Sequence, residues 1–218
     1  MKVEKVIFPF TQLLNSVDLQ SLHVTESVLD VRRNFMGVKP IKGHMLYVGK
    51  DDIQRFHMSG DTVDFFGHTL TCTAWEKLES DKLESCCFYL LTHLEETSIP
   101  NIGMFSHHSI INQCFEITRR AIYHNFQKRT EQEGEGTPIW YTRAFGPGYF
   151  GMPIEDGKEL YEILEGEKLE VKYRNGILDP LKSCIGVFFS FRGNDKVDFN
   201  PCEYCKASKE QCEFCGGF

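Results

Sequence analysis

The chain of 218 residues lacks the features that would export it, anchor it in a membrane or attach it to nucleic acid. No stretch approaches the roughly 18 apolar residues of a membrane-spanning helix. The apolar run before Pro9 is too short for a secretory signal, and no basic residues cluster in a chain of net charge -7. These absences predict a soluble, cytoplasmic protein with no nucleic-acid or membrane partner.

Internal repeats and low-complexity segments are also absent, and 41% of the residues are hydrophobic. This content is enough for one large domain with a sizeable buried core. We expect an α+β domain over residues 1–198 and a short cysteine-rich tail over residues 199–218.

Apolar runs of strand length predict most of the sheet. SCCFYLLTHL (residues 85–94) and SCIGVFFSF (residues 183–191) are nearly continuous apolar runs, which is typical of strands covered on both faces. Asn175 and Gly176 form a strong turn signal for a hairpin. Shorter strands are predicted in MLYVG, DTVDFFGHTLTC, PIWYTRAF and KLEVKY.

Three segments have the pattern of amphipathic helices. They are residues 17–35, a long segment that follows Ser106 as N-cap and has an apolar stripe extending to Phe126, and residues 155–164. RTEQEGEGT (residues 129–137) has the composition of a solvated loop. Because strands occur in runs between long helices, the pattern favours a twisted, mostly antiparallel sheet flanked by those helices.

The tail contains the most specific local motif of the chain. Cys202, Cys205, Cys212 and Cys215 form two CxxC pairs separated by a six-residue loop, a spacing that can place four thiolates around one metal ion. Closed sites of this type most often hold zinc, and an iron-sulfur cluster is the alternative metal. If no metal binds, the alternative interpretation is that the two CxxC pairs are reactive or form disulfides.

The other five cysteines lie within apolar segments, where a thiol acts as a small hydrophobic group. We expect these to fill the core: Cys72, Cys86, Cys87, Cys114 and Cys184.

RAFGPGYFGM (residues 143–152) concentrates three glycines beside aromatic rings. Gly146, Gly148 and Gly151 satisfy GxGxxG formally, but Pro147 interrupts the motif and too little chain follows for a doubly wound fold. The stretch therefore indicates either a fixed loop whose backbone amides and carbonyls face a ligand or a tight structural turn.

Three sequence features together resemble the end of the activation domain of vitamin B12-dependent methionine synthase. They are RAFGPGY, the acidic helix ELYEILE, and ILDPLKSCIGVFF with its Pro180, Ser183 and Gly186. The resemblance implies a curved α+β domain that binds S-adenosylmethionine and docks a corrinoid domain for reductive remethylation. It assigns the ligand contact to Arg143, Gly146, Pro147, Gly148 and Tyr149.

None of the eight histidines has an aspartate two residues earlier, so the Asp-x-His-x-x-Gly motif of corrinoid-binding domains is absent. We therefore expect cobalamin on a partner protein and no acid-base residue in this chain. The leading hypothesis is an accessory protein of cobalamin-dependent methyl transfer. Two alternatives are a docking module that keeps a structural zinc but has lost S-adenosylmethionine binding, and an iron-sulfur electron donor to a corrinoid protein.

Overall fold

The computed structural model describes residues 2–17, 39–93, 104–134 and 136–204. It contains a five-stranded antiparallel sheet made of β1 (Glu4–Phe8), β2 (Ile41–Val48), β6 (Leu83–Thr92), β7 (Ile139–Tyr141) and β10 (Ser183–Arg192). The strand order across this sheet is β1-β2-β6-β10-β7.

Two smaller antiparallel units accompany the main sheet. One has three strands, β3 (Phe56–Ser59), β4 (Thr62–Phe65) and β5 (His68–Thr71), and the other is the hairpin of β8 (Lys172–Arg174) and β9 (Ile177–Asp179). Asn175 and Gly176 turn this hairpin with φ of 50° and 82°, which confirms the predicted turn. KLEVKY forms a shorter strand than expected, because Lys168 and Leu169 belong to a 3-10 turn.

Side-chain alternation along β6 gives the domain two apolar layers. Phe88 and Leu90 belong to the layer that contains β3–β5, whereas Cys87, Tyr89 and Leu91 belong to the layer under the long helix. Both faces of the strand are buried, as its continuous apolar run predicts. Cys72, Cys86, Cys87 and Cys114 are buried and Cys184 is partly buried, so the core-filling prediction is confirmed for four of the five thiols and in part for Cys184.

Three α-helices are described: α1 (Phe10–Leu13), α2 (Met104–Glu133) and α3 (Gly157–Ile163). The apolar stripe of α2 packs on the sheet through Ile110, Cys114, Ile122 and Phe126. The prediction for residues 155–164 is confirmed by α3. The helix predicted over residues 17–35 falls almost entirely on residues 18–38, which lie outside the described residues.

The boundaries of α2 differ from the prediction at both ends. The helix begins at Met104, so Ser106 lies in its first turn and not at the cap; such ends vary by one or two residues. It also continues through the predicted loop as far as Glu133. Tertiary contacts hold this last turn: Thr130 hydrogen-bonds Ser85 at 2.7 Å between hydroxyl oxygens, and the Tyr47 hydroxyl donates to Glu133 Oε2 at 3.1 Å.

Candidate functional site

A cavity of about 770 Å³ opens where α2 passes the edge of the sheet formed by β10 and β7. This volume falls within the usual range for small-molecule sites. Its apolar floor comes from Tyr89 and Phe188, and α2 contributes Arg119, Arg120 and Tyr123 to one side. Residues 141–146, Tyr149 and Phe150 also line the cavity, as do residues 196–199.

The five loop residues predicted to bind S-adenosylmethionine divide around this cavity. Arg143, Gly146 and Tyr149 line it, whereas Pro147 lines a smaller neighbouring pocket of about 340 Å³ that also contacts Tyr149. Gly148 lines neither of these two pockets. Tyr149 is 69% exposed, so its ring is accessible from solvent.

The backbone of this loop is largely satisfied by the protein itself. The Gly148 amide donates to Met152 at 3.0 Å, and the Tyr149 amide donates to the Gly146 carbonyl at 2.9 Å. The Phe145 amide and carbonyl both pair with Val187 at 2.9 Å. The expectation that amides around Pro147 face a ligand is therefore wrong for Gly148 and Tyr149, because a tight turn already occupies them.

Close packing and turn geometry, and not contact with a ligand, explain why glycine occurs at these positions of the loop. A Cβ on Gly146 would lie 2.8 Å from the Ile185 carbonyl oxygen, closer than side chains approach backbone in folded proteins. Gly148 and Gly151 have φ of 82° and 83°, where glycine carries no steric penalty. A Cβ on Gly151 would also lie 2.7 Å from Thr73 Cβ. The bare backbone thus serves close packing against β10 and the turn before α3.

Charged side chains therefore provide most of the chemistry at the cavity. Glu116 on α2 accepts hydrogen bonds from Arg119 Nη2 at 2.7 Å and from Arg120 Nε at 3.1 Å. Burial disfavours the charges of Glu116 and Arg119, but the hydrogen bonds outweigh it, so the Glu116 pKa is lowered and the Arg119 pKa is raised. Exposed Arg143 and Lys196 add two further cations, and Asp198 adds one carboxylate.

Cys184 lies on the cavity wall next to these groups. Burial raises the pKa of its thiol to about 12, and the nearby charge of Arg119 offsets this only in part. The thiol is therefore protonated at neutral pH and is a poor nucleophile there. Burial likewise raises the pKa of the Tyr89 phenol. Neither group is suited to acid-base chemistry at neutral pH.

The start of the tail packs beside the cavity. Phe199 lies against Phe145 and Phe150, with ring centroids 5.3 and 6.1 Å apart, and the Tyr204 ring lies 6.2 Å from Phe150. Lys77 Nζ lies 2.6 Å from Glu203 Oε2. The backbone of Cys202 is described within a short 3-10 helix, whereas Cys205, Cys212 and Cys215 lie outside the described residues. The four-cysteine site stays a prediction.

A second group of potential metal ligands had no signal in the sequence. His68 on β5 and Glu159 and Glu162 on α3 place their ligand atoms within 4.8 Å of one another. Because His68 Nδ1 lies 2.8 Å from Glu159 Oε2, this contact also ties the small sheet to the helix without any ion. Only tertiary packing of β5 against α3 brings the three residues together.

The chain has a methionine synthase activation-like fold. In the comparison with solved structures, the chain is similar to the crystal structure of the MetH reactivation domain bound to AdoHcy, with a TM-score of 0.61 over 91% of this chain and 81% of that one. Sequence identity is 12%, so the likeness establishes the fold. No family model and no curated protein matches the chain. Within the described ranges, no helix is long and apolar enough to cross a membrane.

Proposed function

We propose that this protein is an accessory protein of cobalamin-dependent methyl transfer. It binds an S-adenosyl nucleoside in the cavity between α2 and the Arg143–Tyr149 loop and docks a separate corrinoid protein. The single observation that supports this most strongly is the cavity itself, lined by Arg143, Gly146 and Tyr149, in a fold whose solved neighbour holds AdoHcy.

For the methyl transfer, the protein has mainly to position the methyl group and the cobalt. Methyl transfer breaks the bond between sulfur and the methyl carbon and forms a bond from that carbon to cobalt, leaving S-adenosylhomocysteine. The electron that first reduces oxidised cobalamin comes from a separate donor. Reduced cobalt is a strong nucleophile, so holding methyl and cobalt in line supplies the rate advantage. The protonated Cys184 thiol and Tyr89 phenol are consistent with a site that moves no protons.

The surface beside the loop supports docking of a partner. Tyr149, Ile154, Ile177 and Leu181 are large apolar side chains that are each more than half exposed. Ile154 lies within 4 Å of the Cβ positions of Gly148 and Gly176, and Leu181 lines the pocket shared by Pro147 and Tyr149. Neighbouring exposed apolar side chains are typical of protein-binding sites. A corrinoid protein bound here would cover the entrance that faces Tyr149.

The tail would add a metal centre near the cavity. We propose that Cys202, Cys205, Cys212 and Cys215 bind zinc, with an iron-sulfur cluster as the alternative. In support of this proposal, Glu203 contacts Lys77 and the Tyr204 ring packs near Phe150, so the chain that follows Cys202 runs beside the cavity wall. Metal analysis of anaerobically purified protein separates the two: one equivalent of zinc in colourless protein excludes the electron-donor role, and broad visible absorption supports it.

A docking module without nucleoside binding is the second candidate. The internally bonded amides of Gly148 and Tyr149 favour it, because they remove backbone contacts that the loop was expected to offer. The exposed apolar residues and the tail would then account for the function.

Calorimetric titration of the full chain with S-adenosylmethionine and S-adenosylhomocysteine decides between the two candidates. Binding that Arg143→Gln weakens and Arg174→Gln leaves unchanged supports the nucleoside site; Arg174 on β8 is a matched exposed arginine outside the cavity wall. No binding of either nucleoside favours the docking module. Retention of a corrinoid protein by immobilised chain tests docking separately.

A further inference from the structure

The charge of the cavity is opposite to that of the whole chain. The protein has 31 acidic and 24 basic residues. The described residues that line the cavity include Arg119, Arg120, Arg143 and Lys196 as cations and Asp198 as the single carboxylate. The lining of this cavity is thus positively charged although the protein as a whole is acidic.

Glu116 compensates for this charge only in part. One carboxylate accepts hydrogen bonds from two guanidinium groups, so a net positive charge stays on that pair of arginines. The Arg119 pKa is raised, and arginine side chains are charged at every working pH. The net positive charge of Arg119 and Arg120 therefore does not depend on pH. With Glu116 included, the cations around the cavity still outnumber the carboxylates by four to two.

The aromatic residues of the cavity floor provide little cation–π attraction for a positively charged ligand. Tyr89 stacks on Phe188 with centroids 5.0 Å apart, and Tyr123 lies 5.1 Å from the same ring. One face of the Tyr89 ring is therefore covered by Phe188 and is not open to a cation. Tyr149 is exposed and able to stack, but its position at the entrance suits the planar adenine.

We infer that the cavity selects its nucleoside by charge and binds S-adenosylhomocysteine more tightly than S-adenosylmethionine. This inference rests on the proposed function. The two ligands share adenosine, ammonium and carboxylate groups and differ by one methyl group and the positive charge on sulfur. A carboxylate paired with Arg143 and an ammonium paired with Asp198 would leave the sulfonium facing the remaining cations.

The consequence is a site that retains the product of methyl transfer over the methyl donor. Methyl transfer at this site would then slow as S-adenosylhomocysteine accumulates. The protein would serve its corrinoid partner only when the donor is in large excess.

Calorimetric titration of the full chain at low ionic strength tests the inference. We expect S-adenosylhomocysteine to bind about tenfold more tightly than S-adenosylmethionine, which corresponds to about 1.4 kcal/mol. The ratio is expected to shrink as salt is added, because screening weakens charge repulsion but does not change the size of the methyl group. Arg120→Gln should lower the ratio, and Arg174→Gln should leave it unchanged.

A third ligand separates charge from size. The aza analogue replaces sulfur by a methylated nitrogen, whose positive charge is removed by raising the pH while the methyl group stays. We expect its binding to strengthen when it becomes neutral. Equal or tighter binding of S-adenosylmethionine overturns the inference and leaves the proposed function intact. No binding of any of the three ligands overturns both.

Discussion

The two sides of the candidate cavity differ in how their polar groups are used. On the loop side, the amides of Gly148 and Tyr149 are bonded within the turn, and Gly146 packs on the carbonyl of Ile185. On the helix side, Arg119 and Arg120 share one carboxylate and keep an excess of charge. The difference teaches that the loop glycines serve folding, and that the side chains of the helix are the groups left to contact a ligand.

The largest expected effect falls on the loop side and concerns stability. Gly151→Ala should lower the free energy of unfolding by about 3 kcal/mol, because it combines a positive φ with a contact of 2.7 Å to Thr73. Gly60→Ala is the matched control: φ is 60° and nothing lies within 4 Å, so a loss of about 1 kcal/mol is expected. Urea unfolding measures both, and equal losses would contradict the packing explanation.

The next effect concerns the exposed ring at the cavity entrance. Tyr149→Ala should weaken S-adenosylhomocysteine binding about tenfold, because stacking of a base on an aromatic ring contributes roughly 1–3 kcal/mol. Unfolding should change by less than about 0.5 kcal/mol, since the side chain is mostly exposed. Ile177→Ala, also exposed but outside the main cavity, is the control. If Tyr149→Ala binds S-adenosylhomocysteine with unchanged affinity, the Tyr149 ring does not contact the nucleoside.

A smaller effect should follow on the helix side. Glu116→Gln removes the carboxylate shared by Arg119 and Arg120, so the preference for S-adenosylhomocysteine over S-adenosylmethionine should rise about threefold, or roughly 0.65 kcal/mol. Glu162→Gln on α3 is the control for loss of an acidic residue away from the cavity. Paired titrations measure both ratios, and a preference that falls in Glu116→Gln contradicts a positively charged cavity.

The smallest expected effect concerns Cys184, whose alkylation rate near neutral pH should be very low. Because burial raises its thiol pKa to about 12, the thiolate is scarce at pH 7 and its labelling should rise steadily up to pH 12. An ordinary cysteine would reach its plateau soon after about pH 8.5. Mass spectrometry of the peptide that contains Cys184 follows this thiol separately from the tail cysteines. Saturation of the rate by pH 9 would contradict the buried environment.

Local patterns predicted the elements of this fold well. The continuous apolar runs of β6 and β10 and the Asn175-Gly176 turn appear where the sequence indicates them. Each depends on residues close together in the chain, so composition and spacing carry the information. The apolar stripe of α2 predicted its packing on the sheet for the same reason.

Contacts between distant residues account for the errors. The last turn of α2 is held by Tyr47 and Ser85, which lie far away in sequence, so a charged segment that resembles a loop becomes helix. The role of Gly146 depends on Ile185, which no local pattern reveals. The resemblance indicated Arg143, but Arg119 and Lys196 were missed for the same reason, because the three residues that line the cavity come from separate segments.

A crystal structure of the full chain grown with S-adenosylhomocysteine tests the central claim most directly. We expect the nucleoside between α2 and the loop, with its carboxylate within hydrogen-bonding distance of Arg143 and its adenine against Tyr149. We also expect the hydrogen bonds of Gly148 and Tyr149 within the turn to stay intact. A nucleoside bound elsewhere, or one bound to those two amides, would contradict recognition by side chains in this cavity.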